Sequence, residues 1–327
     1  MVGAGACVLG AQPTDADSLT STGNSRQVRR RKLGKTGLIV SEIGFGGHSW
    51  SFKRVPDGHG GLRQLTLDES ARIIRVGLEM GVNFFDSCTP ELEHTVPGRI
   101  IKDLGIRDRI IVSARCCHKM KGVAADRNEV YRFVDQRLKQ WQTDYFDILM
   151  LTNETYDTPQ SGYWDMSYCI EALEKVKQQG KVRFTGFGCH FSPESFLDAI
   201  QKHGAFFDVC SFPYNIRHRA GERILPAAEA AELGVVTIKA FARGELLKNR
   251  DLNGVDRGLP RCMVAFVLQN KLVDTCICGV ISEAELRENL SASWLGLTDE
   301  EQRRLERLAA NLSCRGYPWL ENDWRYA

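Results

Sequence analysis

The chain lacks any apolar run near the ~20 residues that a membrane-spanning helix needs. It lacks an excess of either charge, because 43 Lys+Arg stand against 41 Asp+Glu for a formal +2. That balance excludes the broad basic face of a nucleic-acid binder. Its 11 cysteines include no Cys-x-x-Cys pair, so neither a zinc ribbon nor a thioredoxin-type motif is written in it. Nor is there a G-x-G-x-x-G phosphate loop, the opening of a doubly wound nucleotide fold. What remains is ordinary in bulk: 327 residues, 43% apolar and 26% charged. That is enough to bury a large core without disulfide staples, and the composition excludes collagen, coiled coil and wholesale disorder.

Most of the cysteines lie inside apolar patterns, as in Val209-Cys210 and Cys276-Ile277-Cys278. Free cysteine packs as a small hydrophobe, so the expectation is reduced thiols in a reducing, cytoplasmic setting. Residues 1–28 read as a disordered tail, with Pro13–Ser25 too polar to order itself. The alternative reading is export. Val2–Gln12 resembles the apolar end of a secretory signal whose basic start would lie upstream.

From residue 38 onward, short apolar runs alternate with amphipathic helices. The runs are 41–46, 83–87, 109–116, 147–152, 182–188, 208–214, 234–241 and 274–280. They are rich in Val, Ile and Phe with little polar alternation, as strands buried on both faces are. Helix starts are marked by Thr66-Leu-Asp-Glu69 and by Ser192-Pro193, and helix ends by Gly81, Gly180, Gly204 and Gly234. Eight such units predict an α/β fold of the (β/α)8 TIM-barrel type. Before them, Arg31–Leu33 and Leu38–Val40, joined by Gly34–Gly37, predict an N-terminal β-hairpin across the barrel bottom.

The run Arg31–Gly47, followed by Gly81-Val-Asn-Phe-Phe-Asp-Ser87, Gly180–Gly188, Tyr214-Asn215, Arg243-Gly244 and Glu285-Leu-Arg-Glu-Asn289, resembles the aldo-keto reductase family in order and spacing. The resemblance covers residues 29–310 and leaves 311–327 as an aromatic C-terminal extension. It is nearest to a bacterial branch that often carries an export signal and an iron–sulfur tail, although Cys314 stands alone here. It implies a nicotinamide site at the C-terminal ends of the strands and a catalytic tetrad of Asp, Tyr, Lys and His. Asp86 matches the Asp, whereas Glu91 stands at the Tyr position, Arg115 at the Lys position and Thr152 at the His position. Loss of a general acid costs ~10²–10⁴ in rate. Arginine is no proton relay, since its pKa exceeds ~12. The expected use of Arg115 is an ion pair with Asp86 or a clamp on substrate charge. Glu91, His118 and His190 are the candidate proton carriers.

For the cofactor, NAD or NADP, the resemblance assigns Tyr214, Asn215, Lys239, Arg243, Gly244, Glu288 and Asn289. The family's grip on a 2′-phosphate is replaced by Gly279, Val280 and Glu285, so no preference for NADPH is expected. A helix N-terminus near Ser282 is a further candidate phosphate site. His48, His94, His118 and His190, with Cys88, Glu91 or Cys189, also have metal-ligand chemistry. They form no local His-x-His or His-x-x-x-His pair, and no metal is predicted. Trp319, Trp324 and Tyr326 could stack over the mouth.

The leading expectation is an oxidoreductase with an atypical site acting on a small polar carbonyl or sugar-like molecule. Two alternatives stay open. One is a barrel turned to metal- or acid/base-assisted lyase, isomerase or hydrolase chemistry, and the other is a non-catalytic nucleotide sensor. No nucleic acid or membrane partner is expected, and the oligomeric state is not legible.

Overall fold

The computed structural model describes residues 26–46, 54–87, 95–118, 127–153, 167–189, 193–247 and 258–311. Strands β1 (Arg30–Lys32) and β2 (Ile39–Ser41) form an antiparallel hairpin, with Arg30 opposite Ser41. β3 (Ile43–Phe45) opens the barrel, and β4 (Arg54–Pro56) and β5 (Leu62–Gln64) make a second, outlying hairpin. Then come α1 (Leu67–Glu79), β6 (Phe84–Asp86), α2 (Thr95–Leu104), β7 (Ile111–His118), α3 (Arg127–Trp141) and β8 (Phe146–Asn153). They are followed by α4 (Ser167–Gln178), β9 (Val182–Cys189), α5 (Pro193–His203), β10 (Val209–Pro213), α6 (Gly221–Ala230) and β11 (Gly234–Ile238). The described chain closes with α7 (Leu259–Gln269), β12 (Thr275–Cys278), α8 (Glu283–Leu295) and α9 (Asp299–Asn311). β3 and β6 through β12 pair in parallel as a closed eight-stranded barrel. The seam is β12 on β3, with Cys276, Ile277 and Cys278 opposite Ile43, Gly44 and Phe45. The expected barrel and its leading hairpin are both present.

The period of two along each strand sorts side chains between helix layer and interior. Phe84, Ile111, Ile148, Met150, Val209, Val236 and Ile277 make an inner apolar cluster, joined by Leu33 and Val40 of the first hairpin, both fully buried. The hairpin is therefore the barrel's floor. The outward set packs against the helices, with Phe187 between Phe196 and Phe207 at 4.8 and 5.0 Å.

Carboxylates secure the N-terminal rim, where staggered parallel strands leave backbone N–H groups without a strand partner, and one amide ties the hairpin strand β2 to it. Asp147 accepts from Val112 N (2.9 Å), Asp208 from Thr185 N (2.9 Å), Asp274 from Val235 N (2.8 Å) and Asn83 from Ser41 N (2.7 Å). Arg107 and Arg183 neutralise Asp147, and Lys177 neutralises Asp208.

The helix signals hold in part. Thr66 and Glu69 form the expected reciprocal capping box at 3.2 and 2.8 Å, and Gly81 and Gly180 have the positive φ of a helix terminus. Gly204 and Gly234 are different. Glu232 takes the left-handed turn before β11, and Gly234 is glycine because a Cβ there would meet Leu33 Cγ at 2.6 Å. Gly204 likewise has backbone at the place of its missing Cβ, Ile200 O at 2.5 Å. Cys116, Cys169, Cys210, Cys262, Cys276 and Cys278 are buried free thiols, as expected. Ser192 and the flanking segments 1–25 and 312–327 lie outside the described residues.

Burial pushes the Asp274 carboxyl up to about 6, against the pull of its backbone hydrogen bonds and Arg31. The folded chain thus holds this proton more tightly than the unfolded chain, whose aspartate titrates near ~3.9. The contribution favours folding below pH ~4 and is lost as pH rises through about 6. Asp274→Asn keeps an acceptor for Val235 N and removes the titration. Its melting temperature relative to the parent should rise between pH 4 and pH 7, by an amount equivalent to about 1–2 kcal/mol. A constant difference across that range would refute the assignment.

Candidate active site at the barrel mouth

Above the apolar floor the inward positions become polar. Asp86 ends β6, Arg115 lies in β7 and Ser211 in β10, all by the same alternation that puts Phe84, Ile111 and Val209 below them. Arg115 Nε donates to both carboxylate oxygens of Asp86, at 2.8 and 2.9 Å. Its Nη2 donates to Ser211 Oγ at 3.1 Å, so the guanidinium reaches across the barrel from its third strand to its sixth. Ser87 Oγ accepts from Arg115 N at 3.3 Å. Asp86 is 3% exposed and Arg115 6%. Burial drives the Asp86 carboxyl above its ordinary range, with Arg115 and Ser113 pulling the other way. The expected pair is therefore present as a buried, directional contact. Its link to Ser211 has no sequence signal beyond the parity of the two strands.

A second group forms on the loops after β10 and β11. Asn215 is fully buried, donates to Lys239 O (2.9 Å) and accepts from Arg217 N (3.0 Å) and His218 N (2.8 Å). Lys239 and Ala242 have left-handed backbones with φ of 62° and 48°, and Gly244 follows at 90°. His218 is held down to about 3 by burial and by Lys239 and Arg217, so its imidazole is neutral at ordinary pH.

Tyr214, expected at the cofactor, faces the helix layer. Cys210 and Phe212 are the outward residues of β10, and Tyr214 continues their parity. Its ring is 5.7 Å from that of Phe266, and its hydroxyl donates to Glu222 at 3.1 Å. Burial and the Glu222 charge push that hydroxyl up to about 12, which suits a fixed donor. Glu288 accepts from Gly258 N at 2.9 Å, and Asn289 is buried on the same helix. The α8 N-terminus near Ser282 is already served from within: Ser282 accepts from Glu285 N, and Glu285 accepts from Ile281 N. Glu91, His190 and the metal candidates His48, Cys88 and His94 lie outside the described residues. His118 ends β7 opposite Asn153 in register; its side chain, like those of Cys189 and Arg243, also lies outside them. Among the described residues, no group of three or more His, Cys, Asp or Glu could hold a metal ion, and no helix is long and apolar enough to cross a membrane.

A sequence model of the aldo/keto reductase family matches residues 42–262, more than half of the chain. The chain is similar to L-galactose dehydrogenase of Arabidopsis thaliana, 24% identical with 81% of this chain and 88% of that protein covered. It is similar at 24% identity to the uncharacterized oxidoreductase YqkF of Bacillus subtilis, with 85% and 96% covered. Among solved structures it resembles the holo form of aldo-keto reductase AKR11C1 from Bacillus halodurans. There the TM-score is 0.66 and the identity 23%, over 86% of this chain and 96% of that one.

The buried pair makes a stability prediction. Arg115→Met strands the Asp86 carboxyl inside the barrel and should cost about 3–5 kcal/mol in urea denaturation. Adding Asp86→Asn to that variant should recover a large part of the loss. Purely additive costs would show that the two groups are not coupled.

Proposed function

The chain belongs to the aldo/keto reductase family, and from that premise we propose that it interconverts a polar, sugar-like carbonyl compound and its alcohol, using a nicotinamide dinucleotide and a mouth built on Arg115 and Asp86. The observation that carries the reading is the two-oxygen contact of Arg115 with Asp86 at the mouth of a family-type barrel. The resemblance to L-galactose dehydrogenase supports a sugar-like substrate. The donors after β11 suit a dinucleotide's phosphates: Lys239 and Ala242 stand at φ 62° and 48°, the left-handed conformation that takes part in backbone anion nests. Lys239, Arg243 and Gly244 would hold the phosphates, and Glu288 and Asn289 the adenine end. Bound there, the dinucleotide supplies or accepts the hydride.

The chain's own residues divide the remaining work. Arg115 stays charged at every working pH, so it orients a carbonyl oxygen or a substrate charge and passes no proton. Asp86 fixes the plane of that guanidinium. The proton falls to Glu91, His118 or His190, which follow or end β6, β7 and β9. The first turn of α8 carries Glu283 and Glu285, and their charge opposes a 2′-phosphate at that end.

Fluorescence titration should give dissociation constants for NADH and NADPH within a hundredfold of each other, ~2.7 kcal/mol. Glu285→Arg should move the ratio toward NADPH by about tenfold, ~1.4 kcal/mol. A strong NADPH preference in the unaltered chain would contradict the reading of Glu285. For the chemistry, Glu91→Tyr, Arg115→Lys and Thr152→His combined should raise the rate of NAD(P)H-dependent aldehyde reduction. With cofactor bound, a rate no higher than the parent's would sink the hydride-transfer reading.

A further inference from the structure

We infer that Asn215 is a positioning residue: it ties the loop after β10 to the loop after β11 and so holds Lys239 in the left-handed turn that receives the dinucleotide's diphosphate. The inference rests on the oxidoreductase reading above, and it changes the role of Asn215 from cofactor contact to loop tie. Three amide interactions are spent on backbone. Nδ2 donates to Lys239 O at 2.9 Å, and Oδ1 accepts from the N–H groups of Arg217 and His218 at 3.0 and 2.8 Å. The residue is completely buried, so its amide works inside the wall.

The tie matters because of what it holds. Lys239 is a non-glycine residue at φ 62°, a conformation that persists only where the surroundings impose it. Its carbonyl is gripped from two sides, by Asn215 Nδ2 and by Ala242 N at 2.8 Å. Tyr214 N, bonded to Ile238 O at 3.1 Å, anchors the two loops one step lower. The same amide turns the chain after β10 so that Arg217 and His218 come to the side of Lys239. Arg217 Nε, His218 Nε2 and Lys239 Nζ are all buried, and the positive charges of Lys239 and Arg217 both act on the His218 ring. One neutral side chain thereby brings basic groups from two loops to a left-handed backbone turn. That is the setting an oxyanion such as a diphosphate requires.

The test is a double-mutant cycle on the full chain, read as dissociation constants for NADH and for ADP-ribose beside the melting temperature. Asn215→Ala should weaken both ligands tenfold or more. In a Lys239→Gly background the same change should cost less than threefold, because glycine enters the left-handed turn without help. Equal losses in both backgrounds would mean that Asn215 touches the ligand itself, and no loss in either would remove the tie from cofactor binding. Both outcomes overturn the inference. Should Asn215→Ala fail to fold, Asn215→Asp gives the same reading. It retains the acceptor for Arg217 and His218, loses the donor to Lys239, and should weaken NADH at least as much. An unaltered chain that binds neither NADH nor NADPH overturns the oxidoreductase reading and the inference with it; binding by that chain with an unaffected variant overturns the inference alone.

Discussion

Closure of the barrel is the constraint from which the site follows. β12 pairs with β3 over three residues, and only that seam gives the sheet an inside. In an open sheet Asp86 and Ser211 would lie on strands far apart. In the closed ring one guanidinium joins them, with Arg115 held to Asp86 at 2.8 Å and to Ser211 at 3.1 Å. Closure also removes both sheet edges, so the eight strands can be buried on two faces and still satisfy their backbones.

The interior is graded along the barrel axis. At the bottom, Leu33 and Val40 of the hairpin complete an apolar cluster, and carboxylates on the rim accept the N–H groups that the stagger leaves over. Toward the mouth, apolar residues give way to Ser113, Asp86, Arg115 and Ser211. Two charges withdrawn from water are a poor source of stability unless their remaining hydrogen-bonding capacity is met. Here both carboxylate oxygens are met by Arg115. What the pair secures is geometry, because a guanidinium fixed at both ends cannot swing away from the opening.

A similar logic governs the loops after β10 and β11. A buried amide spends its bonds on the backbone of both loops and ties one to the other. Helix α8 begins instead with two glutamates and a capping serine. Positive charge is thus gathered beside β11, and the first turn of α8 carries negative charge.

Much of the fold was legible in order along the chain. The apolar runs, the capping pair Thr66 and Glu69, and the two-strand hairpin each depend on neighbours a few residues away, so local spacing exposes them. The Asp86–Arg115 pair was legible too, because family resemblance places both residues at strand ends. Gly204 does follow the last residue of α5, but Gly234 was misread as a helix terminator, because it opens β11 and its reason is contact with Leu33, remote in sequence. Tyr214 was misread for a related reason: a motif identifies a residue but not which side of the strand it leaves. The sequence by itself determined the eight-unit barrel, its hairpin floor and the basic and acidic residues available to the mouth. Only the tertiary structure decided that Arg115 reaches Ser211, that Tyr214 serves the helix layer and that Asn215 holds Lys239. Those contacts join residues from different strands and loops, and they exist only once closure sets each strand's parity and brings the loops together.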